Sequence, residues 1–509
     1  MLTKKDLEQI KEHGLSLDDV YHQLKTFSDG IGKVDIVTAA SVDNGIVALS
    51  KEIEIKFCQL YENRRNELDI VKFVPASGAA TRMFKFLHTF LDTYDPNEAL
   101  LSNYIKEGNY KELQTFFSSL KEFPFVNLVR KKIREKYPDY KIHKKGHRLY
   151  CFVQTLLTEK GLDYSNMPKG LIPFHKYTKY ATTAFEEQLY EAAYYASSKD
   201  EVYLKFTFSE DHVSKFRKEF EAIRNRITKK TKTKFNISYS FQKKETDTIA
   251  VGPDNKPFRD LDGNLVFRPS GHGALLENLN EVNADIIFIK NIDNVVAEEY
   301  VPHIAHYKKI MAGKLLWLQD KIFDFLRLLD KEEVSIETIN EIKSFLFSHL
   351  NIKYIPEDKI QLAYILSKPL RVCGVVKNTG APGGGPFWVK DSQGNISLQI
   401  IEMAQIDIEN EHQGSIVDDA THFNPVDIVC AVKDYKGNKF DLKKFNNPNM
   451  GFITEKSQNG QPLKALELPG LWNGAMAKWN TVMIEVPLET FNPVKTVNDL
   501  LAREHRPNA

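Results

Sequence analysis

The chain has 509 residues, 42% hydrophobic and 27% charged, with 69 Lys+Arg against 68 Asp+Glu and a net charge of +1. That length exceeds one simple core, so two or three structural units are expected. The near-neutral balance supplies no global field for nucleic acid or an anionic membrane. The cysteines Cys58, Cys151, Cys373 and Cys430 are far apart, with no C-x-x-C pair, and no window has the length and apolarity of a signal peptide or membrane span. A soluble, reduced, cytoplasmic protein is therefore expected.

In chain order, residues 1–65 carry an amphipathic helical pattern: Leu7, Ile10, Leu15, Leu17, Val20 and Leu24 stand among charges, and Ile46 to Leu60 repeats it. The run from Asp69 to Pro75 reads as a buried strand. It leads into Ala76-Ser-Gly-Ala-Ala-Thr-Arg-Met83 and then a helix. Strand, small-residue loop and helix start together make a phosphate cradle, and Arg82 adds a forked cation suited to phosphate oxygens. An ordinary tight turn with an exposed arginine has the same local signature. Residues 88–160 are mainly helical, and the basic Arg130–Lys145 stretch reads as a solvated helix face.

Pro168-Lys169-Gly170 lies in a rigid proline-bounded loop. A helix over 183–196 and a strand over 202–208 follow. A further helix over 211–227 leads through a basic turn at 229–234 to a strand over 235–241, ending at Gln242. After a polar hairpin come Pro269-Ser-Gly-His-Gly273 and a strand over 285–290 that ends in Asn291-Ile-Asp-Asn294. Strands alternate with helices, and polar residues gather at strand C-terminal ends, where open α/β sheets bind ligands. Residues 300–366 are helical again. A second strand-rich part begins at Leu370. It includes Thr379–Pro386, which is glycine-rich enough to read as an unpacked loop, and strands near 396–402, 423–429 and 482–486.

Taken together these segments resemble the UDP-sugar pyrophosphorylase superfamily, enzymes that join a sugar 1-phosphate to UTP, and within it an uncharacterised bacterial branch. Ala76 to Met83 is similar to that family's Gly-Gly-x-Gly-Thr-Arg loop, and Pro168-Lys169-Gly170 to its Pro-Lys-(Gly/Ser) segment. Ser240-Phe241-Gln242 and Pro269 to Gly273 resemble its Phe-x-Gln and Pro-Pro-Gly-His-Gly elements, and Asn291 to Asn294 its Asn-x-Asp-Asn. Glu467 resembles the last residue of its Gln-Leu-Glu element. Phe491-Asn-Pro-Val-Lys495-Thr-Val-Asn-Asp-Leu-Leu501 is close to its Phe-x-Pro-Val-Lys-Thr-x-x-Asp-Leu-Leu. The matches are collinear from about residue 69 to 501. They depart at Ser77 and Ala80 (family glycines), at Ser270 (a proline), and at Leu488-Glu489-Thr490, which stand where the family has Arg-Ser-Arg.

The resemblance implies an α/β fold of the nucleotide-diphospho-sugar transferase type, GT-A-like and Rossmann-like, a mixed sheet flanked by helices with added helical segments. The implied organisation is an N-terminal helical segment (1–65), a nucleotide-binding core (66–370, with helical insertions at about 88–160 and 300–366), and a sugar-binding part (371–509). Arg82, Lys169 and Lys495 would be catalytic cations. Ala76, Ser77, Gly78, Ala79, Thr81, Gln242, Gly271, His272 and Gly273 would line the nucleotide, and Asn294, Glu402 and Asn424 the sugar. Asp293 would hold Mg²⁺. The implied partners are UTP and a sugar 1-phosphate. Read from the residues alone, Asp293 is equally a helix cap and His272 a turn residue. Two other activities share these features: a nucleotide or nucleotide-sugar binder without transfer, and a glycosyltransferase, which would want a metal-binding Asp-x-Asp such as Asp260-Leu-Asp262.

Overall fold

The structure, a computed structural model, describes residues 2–76, 80–380, 383–424 and 427–507. Two compact units emerge. The first comprises 1–73, 240–289 and 307–490; the second comprises 74–239, 290–306 and 491–509. The units are thus interleaved in sequence. Interleaving arises because segments distant in the chain complete one another's apolar cores.

The first unit is built on a mixed sheet. Gly45–Val47, Asn480–Glu485 and Leu370–Val375 run parallel, Asp427–Ala431 is antiparallel to Leu370–Val375, and Ile286–Ile289 is antiparallel to Asp427–Ala431. Ile286–Ile289 in turn pairs in parallel with residues 70–73. Leu370–Val375 and Asp427–Ala431 are buried along their whole length, the mark of central strands covered on both sides. Leu275, Ile287, Cys373, Trp388, Ile400 and Met483 share one core around them. A smaller sheet joins Asp35–Ala39, Gly384–Lys390 and Ile396–Glu402.

In the second unit, Glu201–Phe208 pairs with Lys234–Phe241, and Ala76 extends the pairing by donating its N–H to the Thr207 carbonyl at 2.8 Å. The helix Ala184–Tyr195 is buried along most of its length. The remainder is helical, packed around an aromatic core of Phe84, Phe90, Phe116, Phe123, Phe125 and Phe152 that also takes in Val295, Val494, Val497 and Leu500. Lys495 therefore stands exposed between buried valines, its segment fixed by their burial. In the helix Val126–Lys136 the buried residues are Val126, Val129 and Ile133, so its cations lie off the buried face.

Three local expectations are corrected. Ile46 belongs to a strand, Gly45–Val47, and the helix starts only at Lys51, capped by Ser50. The β-branched run Asp35-Ile-Val-Thr likewise forms a strand inside the segment expected to be helical. The glycine-rich stretch is packed at its end: Gly384, Gly385 and Pro386 pair with Glu402, Ile401 and Ile400. Glycine is needed there because a Cβ on Gly384 would lie 1.9 Å from the Ile401 carbonyl oxygen. A hairpin, Phe452–Gln458 with Gln461–Glu467, was missed although its Asn459-Gly460 turn is the strongest short hairpin signal. Among the described residues no helix is long and apolar enough to cross a membrane, and all four cysteines are free.

Candidate functional site

In the second unit, four of the singled-out segments are tied together. Ala80 donates its backbone N–H to the Met167 carbonyl at 3.1 Å, and the Thr81 hydroxyl donates to the Ser165 carbonyl at 3.0 Å. The loop after the first strand is thereby fastened to the loop that carries Lys169. Gly170 sits buried against Ile292 and Phe216, where a Cβ would approach Ile292 Cγ1 at 3.0 Å and the phenyl ring at 3.1 Å. Its missing side chain lets the Lys169 loop close onto the strand-end turn, and Lys169 Nζ lies 2.5 Å from Asp293 Oδ2. Both side chains keep about a fifth of their surface exposed (18% and 20%), so an anion can still reach the cation.

The Asn291–Asn294 turn is held from several sides. Lys290, 1% exposed, pairs with Glu191 at 2.6 Å. Gln188 Nε2 donates to the carbonyls of Asn291 and Ile292 at 2.8 and 3.3 Å. The Asn492 N–H donates to Asn294 Oδ1 at 2.8 Å, and the Val494 N–H to the Asp293 carbonyl at 3.2 Å. Asn294 is 3% exposed and anchors the C-terminal segment with its amide oxygen. The backbone N–H groups of Lys495 and Thr496 both donate to Asp499 Oδ2, which closes a capping box and leaves the Lys495 ammonium at the surface. Arg82 is exposed on the turn Ala80–Phe84. Ala76 is buried; Ser77, Gly78 and Ala79 lie outside the described residues.

In the first unit a second cluster forms around His272. The Leu471 N–H donates to His272 Nδ1 at 3.0 Å, which puts the ring proton on Nε2, and Nε2 lies 3.1 Å from Glu402 Oε1. Asn473 Nδ2 donates to the same carboxylate oxygen at 2.5 Å. The Trp472 ring lies 4.4 Å from the imidazole, centroid to centroid. Gly271 has φ +77°, and a Cβ there would meet Glu467 Oε2 at 2.7 Å; Glu467 is paired with Lys456 at 2.9 Å. Gly273 is buried beside the Pro469 carbonyl. Among the described residues, the buried acceptors Asn424 Oδ1 and Asn473 Oδ1 of this region have no donor, which is uncommon in a folded interior. Gln242 donates to Asp247 Oδ1 at 3.3 Å, and Asp247 also meets His13 Nε2 at 3.1 Å. Sequence reasoning missed Trp472, Asn473, Lys456 and Asp247, which carry no local motif. Asp260 is consumed by its own turn, accepting from the backbone N–H groups of Asp262 and Asn264 and from the Asn264 amide. That leaves the Asp260–Asp262 pair poorly placed to hold a sugar-donor metal.

The family model described as "Domain of unknown function (DUF4301)" matches residues 3–506. The chain belongs to the DUF4301 family. No curated protein matches it. Among solved structures, this DUF4301 chain is similar to UDP-glucose pyrophosphorylase from Leishmania major in its open and closed structures: 13% identity and a TM-score of 0.44, over 99% of this chain and 79% of that one. It is also similar to the uridine diphosphate N-acetylglucosamine pyrophosphorylase of Trypanosoma brucei, solved in complex with an inhibitor. There the identity is 11% and the TM-score 0.46, over 95% of this chain and 74% of that one. TM-scores below 0.5 leave the reading of function to this chain's own residues.

Among the described residues there is no group of three or more His, Cys, Asp or Glu side chains that could hold a metal ion by themselves. A single carboxylate at Asp293 still suits Mg²⁺ arriving with phosphate oxygens, since that ion is commonly held by one or two carboxylates plus substrate phosphates.

Proposed function

We propose that this chain is a nucleotidyltransferase that joins a sugar 1-phosphate to a nucleoside triphosphate, with UTP as the donor. A phosphate oxygen of the sugar 1-phosphate attacks the α-phosphorus and forms a new P–O bond. The bond from the α-phosphorus to the bridging oxygen breaks, and its electron pair leaves with pyrophosphate. The nucleophile is already an anion, so no general base is required and catalysis is positioning plus charge neutralisation.

The observation that carries this reading is the Lys169–Asp293 pair, set on a turn whose backbone also holds the segment leading to Lys495. Lys169 would exchange its carboxylate partner for a phosphate oxygen, and Lys495 would meet the reacting phosphates from its exposed position. Asp293 would hold Mg²⁺, which when bound supplies charge neutralisation at phosphate oxygens. In the first unit, Gln242 and the Gly271 backbone would read the base. The His272–Glu402–Asn473 cluster, with the unpartnered acceptor of Asn424, would take sugar hydroxyls. Leu488-Glu489-Thr490, where the resembled family has cations, favours a second reading, a nucleotide-sugar binder that does not transfer.

The test is pyrophosphate release from UTP and Mg²⁺ with a panel of sugar 1-phosphates, and with Lys495→Ala as control. Release that needs one sugar and is lost in the variant supports transfer. A UDP-sugar that raises the melting temperature without any release supports the binder.

A further inference from the structure

Arg371 lies within the first unit's sheet, on the central strand Leu370–Val375, between Cys430 of Asp427–Ala431 and Thr481 of Asn480–Glu485. It is 0% exposed. Among the described residues no carboxylate pairs with its guanidinium. A guanidinium keeps its proton in such surroundings, so the sheet carries a buried positive charge without a counter-ion. An apolar side chain of similar volume would fill the same space at lower cost, because a buried charge gives up its hydration. The hydrogen bonding of Arg371 is also incomplete: Nη2 has no acceptor among the described residues. For the strand by itself, arginine is a poor choice.

The bonds that Arg371 does make lead to one loop. Nε donates to Thr481 Oγ1 at 2.8 Å, which fixes the plane of the guanidinium. Nη1 donates to the Trp472 carbonyl at 2.6 Å and lies 3.3 Å from Met476 Sδ. The bond to the carbonyl is charge-assisted and short, the stronger class of hydrogen bond. Residues 468–473 belong to no helix or strand, so this loop depends on such anchors for its position. Three consecutive members of it meet the His272–Glu402 pair: the Leu471 N–H bonds to the imidazole, the Trp472 ring lies beside it, and the Asn473 amide bonds to the Glu402 carboxylate. Gly470 lets the loop come that close, since a Cβ there would lie 2.6 Å from His272 Cε1. Arg371 holds the middle member of the three by its backbone.

We propose that Arg371 is a positioning residue for sugar recognition: by holding the Trp472 carbonyl it keeps Leu471-Trp472-Asn473 against His272 and Glu402. The ligand class is a nucleotide sugar whose hydroxyls meet that cluster, so the inference rests on the sugar-pocket reading above. Arg371 acts through the loop, and no bond forms or breaks at it. Its buried charge serves to fix one carbonyl, and with it three side-chain and backbone contacts that no single motif supplies.

The experiment is calorimetric titration of the full chain with UDP-glucose, UDP-N-acetylglucosamine and UDP alone, comparing wild-type protein with Arg371→Met, Arg371→Lys and Thr481→Val. Arg371→Met should weaken the UDP-sugar about tenfold, the size of one lost charge-assisted hydrogen bond, and bind UDP as wild type does. Arg371→Lys, which can still donate to the carbonyl, should recover part of that loss. Thr481→Val keeps the charge but leaves Nε without its acceptor, and should lose less than Arg371→Met; it carries the test if Arg371→Met does not fold. Equal weakening of UDP and UDP-sugar would mean a merely structural role and overturn the proposal. Hydrogen exchange of the ligand-free proteins is the second measurement. The Leu471 amide should exchange about tenfold faster in Arg371→Met, with the amides of Asn480–Glu485 unchanged. A Leu471 amide that exchanges as in wild type, or uniformly faster exchange throughout the sheet, would also overturn it. Wild-type protein that binds UDP but neither UDP-sugar more tightly removes the sugar-pocket reading and this inference with it. UDP-sugar binding that is indifferent to Arg371 and Thr481 removes the inference alone.

Discussion

Replacing Lys169 by Met tests whether its pairing with Asp293 is mainly structural or mainly catalytic. The ammonium and carboxylate are 2.5 Å apart and each about one-fifth exposed. The pair therefore falls between an exposed ion pair, worth below about 1 kcal/mol, and a buried one, whose breaking costs about 3–5 kcal/mol. A stability loss of about 1–2 kcal/mol is expected for Lys169→Met, and a similar one for Asp293→Asn. The double variant should lose less than the sum, with a coupling of about 1 kcal/mol. Turnover should respond on a different scale. Removing one preorganised donor to a charged transition state typically costs about 10²–10³ in rate, or about 2.7–4 kcal/mol. The assays are urea unfolding of the four proteins of the cycle and sugar-dependent pyrophosphate release for each. Additive stability losses would mean that the pair does not form in solution. A Lys169→Met protein that keeps wild-type turnover would refute its role on the phosphates.

Other expectations follow from the same geometry. Gly384→Ala should destabilise by about 2–4 kcal/mol, because its Cβ would meet the Ile401 carbonyl; a melting temperature equal to wild type would contradict the strand pairing. Burial pushes the Glu186 carboxyl up to about 7 despite Arg226 bonding to it, and burial lowers His505 to about 3, with His175 adding to the effect. The two act oppositely. The folded state holds the Glu186 proton more tightly, so that contribution is lost as pH rises from about 4.5 to about 7. The unfolded state binds the His505 proton more tightly, so its contribution is present above about 6.5 and lost as pH falls toward about 3. Glu186→Gln and His505→Gln should therefore shift the pH slope of the urea midpoint in opposite directions, and parallel slopes would refute both environments. Finally, a UDP-sugar bound at His272 should change the emission of Trp472, 4.4 Å away. An identical change in Trp472→Phe would place the ligand elsewhere.

Much of the fold was legible where periodicity and turn chemistry agree. The strand Ile70–Pro75, the helix Ala184–Tyr195 and the strand Asn480–Glu485 fall where apolar runs and their flanking polar residues put them. Gly384 to Pro386 misled because glycine serves there for a close backbone approach rather than for freedom, and only the partner strand reveals that. The Gly45–Val47 strand was read as helix because its few apolar residues fit the phase of the helix that follows. For the site, motif spacing singled out Lys169 and Asp293 separately, 124 residues apart; their contact depends on the closeness that Gly170 permits. Trp472 and Asn473 could not be foreseen, because they reach His272 and Glu402 by tertiary packing alone.

The central claim is transfer of a nucleotidyl group, and pyrophosphate release by itself could also come from hydrolysis of UTP. The decisive measurement is mass spectrometry of the nucleotide product after incubating the full chain with UTP, Mg²⁺ and each sugar 1-phosphate, alongside Lys169→Met. A UDP-sugar formed with wild-type protein, and reduced about a hundredfold or more in the variant, is the predicted result. UTP returned unchanged with every sugar, or UDP-sugar made equally well without Lys169, would contradict the account.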